Sequence, residues 1–393
     1  MKKLDVKKKG QVFTPFFIVE EMISLIKNGG KILEPSAGDG AFSNVLLNYD
    51  ITSIEFDKYF ANKNNFLNLD FFGYSIKNKF DTIIGNPPYV RYQDILAETK
   101  EKIEYPVFNP DNINYNLYFD NRSNLYLFFI YKSILHLNDG GELIFITPRD
   151  FLKATSSINL NKFIYDNGTI TDIVELGDKK IFKKANPNTI IWRFEKGNFS
   201  RVTNVKKKFI YNMGQLLFTK NRYTINFKDI AFVKVGAVSG ADKYFEHKDG
   251  IEFVCSYTNK TDKTKKMIYN AYHKDLEQYK DKLLNRKIRR FNENNWWEWG
   301  RKYYESDKSR IYVNNKTRNK KPFFISDVKA YDGSILAIFP HKELNKKELE
   351  KLCNMLNSVN WEELGFVVDG RFLFSQKSLE NTILPESFKD FVE

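Results

Sequence analysis

The 393-residue chain is 42% hydrophobic and carries a net charge of +13, which is enough apolar material for about two folded domains. No apolar run is long enough to span a membrane. The basic excess is local: the net charge is +1 over residues 1–200, +16 over 201–325 and −4 over 326–393, so a polyanion held by the middle region is expected. Cys255 and Cys353 lie far apart, which excludes a disulfide framework and suits a reducing compartment. The four histidines, His136, His247, His273 and His341, are scattered and suggest no metal site. Lys2–Lys9 is basic, but no apolar stretch follows it, so no secretion signal is expected.

Strand and helix patterns alternate through the first 200 residues. Thr14-Pro15 predicts the start of a helix with Val19, Met22, Ile23 and Ile26 on one face, ended by Gly29-Gly30. Lys31 to Glu34 predicts a strand, Pro35 to Gly40 a tight loop of small residues, and Ala41 to about Leu47 a helix. Strand, glycine loop and helix allow a ligand to approach backbone N–H groups, although the full dinucleotide fingerprint is missing. The next strand, Ile51 to Glu55, ends in an acid placed to bind ribose hydroxyls. A further strand, Phe66 to Leu69, ends at Asp70-Phe71, an acid beside an aromatic, which suits an adenine.

Thr82-Ile83-Ile84 reads as a buried parallel strand, with Asn86-Pro87-Pro88-Tyr89 beyond its C-terminal end. In open α/β sheets ligands bind there. Two prolines stiffen the loop. The Asn86 amide and the Pro87 carbonyl offer two acceptors for an exocyclic amine, and Tyr89 offers a flat face. An isolated sequence of this kind also reads as a plain proline turn.

Taken together, these motifs resemble the TaqI-type, gamma-class adenine-N6 DNA methyltransferases. The resemblance rests on QVFTP (11–15), ILEPSAGDG (32–40), IEFD (54–57), LDFF (69–72) and NPPY (86–89), in that order. It continues through 123–152 and 181–194. It implies a Rossmann-like α/β sheet with helices on both faces (1–200), followed by a mixed α+β DNA-recognition domain (201–393). The implied cofactor is S-adenosylmethionine (SAM). Thr14, Pro15, Glu34 and Ala37 would lie near its methionine end or beneath it. Glu55 would take the ribose, Phe56 and Phe71 would lie against the adenine, and Asp70 would take the adenine amino group. Pro88 and Phe129 would close the pocket. Asn86, Pro87 and Tyr89 are the implied catalytic residues, with Tyr89 and Phe182 stacking on the flipped target base. Residues 93–121 are expected to form a loop near that base.

In the second half, basic runs interleave with aromatics. Arg286, Lys287, Arg289, Arg290, Lys316, Arg318, Lys320 and Lys321 are the candidate DNA contacts. Trp296, Trp297 and Trp299 read as core residues before base-stacking ones, and the acidic stretch past 326 as packing that lies off the DNA. The expected partner is double-stranded DNA. A cognate restriction endonuclease is expected to act without a stable complex, with the chain a monomer in the cytoplasm of a bacterial or archaeal cell. The rival readings are a methyltransferase for ribosomal RNA or a glutamine amide, and an inactive DNA-binding subunit. The order of the motifs and the intact NPPY argue against both.

Overall fold

The computed structural model describes residues 12–176, 188–368 and 370–393. The chain divides into two compact units, Met1–Lys220 and Asn221–Glu393. The division falls twenty residues beyond the expected boundary at 200, and the reason is a hairpin. Strands Lys208–Asn212 and Gln215–Thr219 pair with each other. They carry Phe209 and Leu216 into the core of the first unit, where Asn161 also donates to the Gly214 carbonyl at 2.7 Å.

The first unit is built on a seven-stranded sheet. Its strands are β1 (Lys31–Glu34), β2 (Asp50–Glu55), β3 (Leu67–Asn68), β4 (Phe80–Gly85), β5 (Leu137–Pro148), β6 (Gly168–Glu175) and β7 (Thr189–Lys196). The spatial order is β3-β2-β1-β4-β5-β7-β6. Strands β1 to β5 pair in parallel, and β7 runs antiparallel between β5 and β6. Alternation along the strands divides the interior into two cores. Ile32, Ile84, Ile144, Ile146 and Ile191 face one side, where they meet Ile18, Val19 and Met22 of α1 (Phe16–Ser24). Leu33, Ile83, Leu143, Phe145 and Ile190 face the other. There they meet α4 (Leu125–His136) and α5 (Ile158–Asn167); α2 (Lys58–Asn64) and α3 (Ala97–Glu104) complete the helices of this unit. A period-two strand thus buries both faces, as parallel sheets require.

Three local expectations are corrected. Helix α1 ends at Ser24, well before Gly29. Residues 41–47 form turns, not a helix, although Asn44 and Leu46 make helix-like N–H bonds to Gly40 and Phe42. The 93–121 segment is not a plain loop. It contains α3, and it buries Ile95, Ile103, Tyr115 and Phe119 in the core. Of its aromatics, Tyr115 and Phe119 are packing residues, whereas Tyr105 and Phe108 are exposed.

At the middle of the sheet Glu142 is fully buried. Its carboxylate accepts the N–H groups of Lys27 (3.0 Å) and Asn28 (2.9 Å), the Thr82 hydroxyl (3.0 Å) and Arg193 Nε (2.6 Å). Arg193, 1% exposed, also donates to Thr171 at 2.8 Å and pairs with Glu195.

The second unit is mixed α+β, as expected from its sequence. An antiparallel sheet orders Ala231–Val235, Ile335–Pro340, Ile311–Asn314 and Phe323–Phe324. A three-stranded sheet orders Lys265–Met267, Glu246–Val254 and Ala330–Tyr331. The acidic C-terminal stretch therefore supplies the inner strand 335–340 and the helix Lys346–Ser358, whose first turn is closed by an Asn345–Glu348 capping box. Trp296 and Trp299 are buried, and Trp299 stacks on Phe253 at 5.1 Å.

Removing one partner of a buried ion pair strands the other charge and costs about 3–5 kcal/mol. Arg193→Ala should therefore lower unfolding stability by that amount, read as a shift of the urea midpoint. An unchanged midpoint would mean that the pair is dispensable.

Candidate functional site

The strand order reverses between β1 and β4, so their C-terminal ends open a crevice. A pocket with about 860 Å³ of space, partly open to solvent, lies there. Glu55, Phe56, Asp70, Phe71, Pro88 and Phe129 line it, together with Asn86. Phe71 and Phe129 stack on each other at 5.0 Å and 28°, forming an aromatic wall.

Each acid is held by local backbone geometry. Glu55 closes β2, and its two oxygens accept from Gly38 N (2.7 Å) and Asp57 N (2.7 Å). Gly38 has φ +58°, a left-handed conformation that glycine adopts without strain, and so its N–H can point at the acid. Asp70 caps the turn after β3 by accepting from Phe72 N at 2.9 Å. Its other oxygen accepts from the Thr99 hydroxyl at 2.9 Å, with Lys102 at 3.4 Å. Both acids line the pocket, and a carboxylate has about four acceptor positions.

Asn86 follows β4. Its Nδ2 donates to Thr14 Oγ1 (3.2 Å) and Val12 O (3.4 Å), and its backbone carbonyl accepts from Ser36 (3.2 Å). Among the described residues no hydrogen bond reaches Asn86 Oδ1, which stays available as an acceptor. Tyr89 is half-buried; its hydroxyl donates to Ile146 O at 2.9 Å, and burial holds that hydroxyl protonated. Its ring meets Tyr126 edge-on at 5.8 Å. Pro87 is buried beside it.

Four of the expected cofactor residues do not line the pocket. Thr14 acts through Asn86, and the carbonyl of Pro15 begins α1. Ala37 is buried, with its N–H on Ile54 O. Glu34 lies beneath the loop, accepting from Ser43 N at 3.1 Å and from the Ser43 hydroxyl, which in turn meets Ser53. Phe182 lies outside the described residues. Conversely, Phe13, Phe60, Ile95, Leu96, Thr99 and Leu125 line the pocket, and no sequence motif marks them as ligand-facing. Phe13 adjoins Thr14 in sequence, which is the one local signal for any of them.

In the second unit Lys287, Arg289, Arg290, Lys316, Arg318, Lys320 and Lys321 are exposed. Arg286 is not, and is corrected from the DNA-contact set. Its guanidinium is buried and donates to the carbonyls of Leu283, Ser239, Trp296 and Glu298. Burial pushes its pKa down to about 10. Arg289 pairs with Glu298.

Residues 25–182 match the family model for the Eco57I restriction-modification methylase. That segment is similar to Eco57I-type restriction-modification methylases. The chain is 27% identical to the type II methyltransferase M.HindII of Haemophilus influenzae, covering 95% of this chain and 88% of the relative. It is 37% identical to M.HincII of the same species, covering 48% of this chain and 37% of the relative. The solved structure of the type IIL restriction-modification enzyme MmeI in complex with DNA has the same fold, with a TM-score of 0.58 at 11% identity, covering 92% of this chain and 63% of that one. The matched segment contains β1, β4 and most of the residues that line the crevice, but not Val12 or Phe13. Among the described residues no helix is long and apolar enough to cross a membrane.

Burial beneath the 35–40 loop pushes the Glu34 carboxyl from its ordinary 4.5 up to about 8. The folded chain therefore holds a proton between those values that the unfolded chain has released. The stability this contributes is complete below pH 4.5 and is lost as pH rises towards 8. Glu34→Gln cannot ionise, and its stability should lack that decline. Urea midpoints of both proteins at pH 5 and pH 8 test this; parallel pH dependences would overturn it.

Proposed function

We propose that the protein is a SAM-dependent, site-specific DNA methyltransferase that methylates N6 of an adenine flipped out of duplex DNA, as the modification activity of a restriction-modification system. The observation that carries this reading is the anchored Asn86 amide in the pocket lining, whose NH2 is held by Thr14 and Val12 while no hydrogen bond among the described residues reaches its side-chain oxygen. An amide oriented in this way accepts protons and does not donate them.

The chemistry of the pocket lining supports SAM as the ligand. Glu55 would accept from a ribose diol and Asp70 from an adenine amino group, and Phe56, Phe71 and Phe129 would meet the flat purine. SAM supplies an electrophilic sulfonium methyl group when bound. The protein supplies the rest. A base must leave the duplex to reach the site, at a cost of a few kcal/mol. Tyr89, its ring fixed by the hydroxyl bond to Ile146, offers a stacking face worth about 1–3 kcal/mol. Asn86 Oδ1 and the Pro87 carbonyl accept hydrogen bonds from the two N6 N–H groups while the N–C bond forms and the S–C bond breaks, and one N6 proton then leaves to solvent. Those hydrogen bonds draw the nitrogen lone pair out of conjugation with the ring and stabilise the positive charge that grows on N6. The stiffness of Asn86-Pro87-Pro88 keeps both acceptors in place. The likeness to M.HindII along nearly the whole chain supports DNA as substrate over ribosomal RNA or a glutamine amide. The +11 balance of residues 221–325, 24 Lys and Arg against 13 Asp and Glu, supports a second unit that holds the duplex.

Asn86→Ala should reduce methyl transfer to adenine in duplex DNA by about 10²–10³-fold or more while SAM affinity is kept. Labelled-methyl transfer and calorimetry on one preparation measure both, and near-normal turnover would refute the assigned role. Replacing Lys316, Arg318, Lys320 and Lys321 together with Gln should flatten the dependence of log DNA affinity on log salt, by about 0.9 for each phosphate that is no longer neutralised. Titrations of labelled duplex at several salt concentrations decide it: an unchanged slope removes this cluster from the DNA surface.

A further inference from the structure

The strand Glu246–Val254 meets Met267 twice, once through Glu246 and once through Ile251. Residues 247–250 are therefore looped out of the ladder as a bulge. Gly250 makes this possible: a Cβ there would lie 2.3–2.6 Å from the Met267 backbone. Bulges re-aim side chains, and this one carries His247 and Asp249. They are aimed at His273, the residue that begins the 3₁₀ helix Lys274–Tyr279. Two histidines 26 positions apart in sequence thus stand with their rings 4.5 Å apart.

We propose that His247, His273 and Asp249 form a site for one divalent transition-metal ion, with Zn2+ as the best fit. Asp249 Oδ2 lies 3.6 Å from His247 Nδ1 and 4.0 Å from His273 Nε2. The three ligand atoms all lie within 4.8 Å of one another. Tetrahedral zinc with bonds of about 2.0–2.1 Å sets ligand atoms about 3.4 Å apart, so small side-chain rotations close the set. Asp275 stands behind both rings, its Oδ2 at 2.9 Å from His247 Nε2 and 3.9 Å from His273 Nδ1. A carboxylate on the far nitrogen is the usual support of a metal-bound imidazole, fixing its tautomer and raising its basicity. The 3.2 Å hydrogen bonds that the two Nδ1 atoms accept from the backbone N–H groups of Asp249 and Asp275 are the ones given up on binding. Imidazole nitrogens with one carboxylate select zinc-like ions over Mg2+ or Ca2+, which prefer all-oxygen sets. Asp249 is exposed and both imidazoles are half-buried, so a fourth position is left for water. A bound ion joins the bulge to the 3₁₀ helix within the second unit.

The test uses the full chain without an affinity tag, stripped with a chelator and titrated with Zn2+ by calorimetry. One equivalent should bind to the wild type. The double variant His247→Ala, His273→Ala should lose that binding, and Asp275→Asn should weaken it about 10–100-fold without removing a ligand. Nitrogen-15 spectra of the wild-type histidines supply a readout that needs no variant: Zn2+ should shift His247 and His273 and leave His136 and His341 unmoved. Absence of stoichiometric binding overturns the proposal. So does binding that persists in the double variant or leaves those two imidazoles unshifted.

Discussion

The first unit depends on one buried carboxylate. Glu142 sits in the middle of the sheet, where an isolated charge would cost several kcal/mol. It is stable there because two backbone N–H groups, a hydroxyl and a guanidinium converge on it. Those donors come from the α1–β1 connection, from β4 and from β7. The carboxylate therefore ties the connection that follows α1 to β4, β5 and β7, and the segment that precedes α1 is the one that holds the Asn86 amide. Core electrostatics and active-site geometry are linked through one short stretch of chain.

The pocket follows from that frame. Strand order reverses beside β1, so two neighbouring strand ends diverge, and their loops line a crevice that needs no separate structure to form it. Within it the acids have two tasks. Glu55 and Asp70 satisfy backbone N–H groups of the loops they close, and both line the pocket. The loops are thus ordered by the same groups that are proposed to recognise the cofactor. Such preorganisation lowers the cost of ordering the site when a ligand arrives. Glu34 differs: sealed beneath the loop with Ser43 and Ser53, it keeps its proton and serves the support of the loop.

The second unit shows how little charge alone says about role. Arg286 and Arg290 stand four residues apart in one basic run. The first is buried among four carbonyl groups and holds several turns together, whereas the second is exposed. Guanidinium suits both positions, because its planar set of donors satisfies several carbonyls as readily as it meets phosphate. The tryptophans divide similarly, with Trp296 and Trp299 committed to the core.

Much of the first unit was legible in the sequence, because its signals are local. Apolar runs ending in Glu34, Glu55 and Gly85 mark strands, and the acids and Asn86 at their ends mark the ligand side of a parallel sheet. The order of those motifs was enough for the fold class and for most of the polar groups in the pocket. What only the tertiary structure decided are contacts between residues far apart in the chain. The pairing of Glu142 with Arg193 spans 51 residues, and that of Asn86 with Thr14 spans 72. The entry of Ile95, Leu96 and Thr99 into the pocket wall, the burial of Arg286 and the meeting of His247 with His273 are of the same kind. Periodicity and spacing report the neighbours of a residue along its own element. Burial and partnership across elements depend on how the elements close on one another, and no single stretch of sequence encodes that.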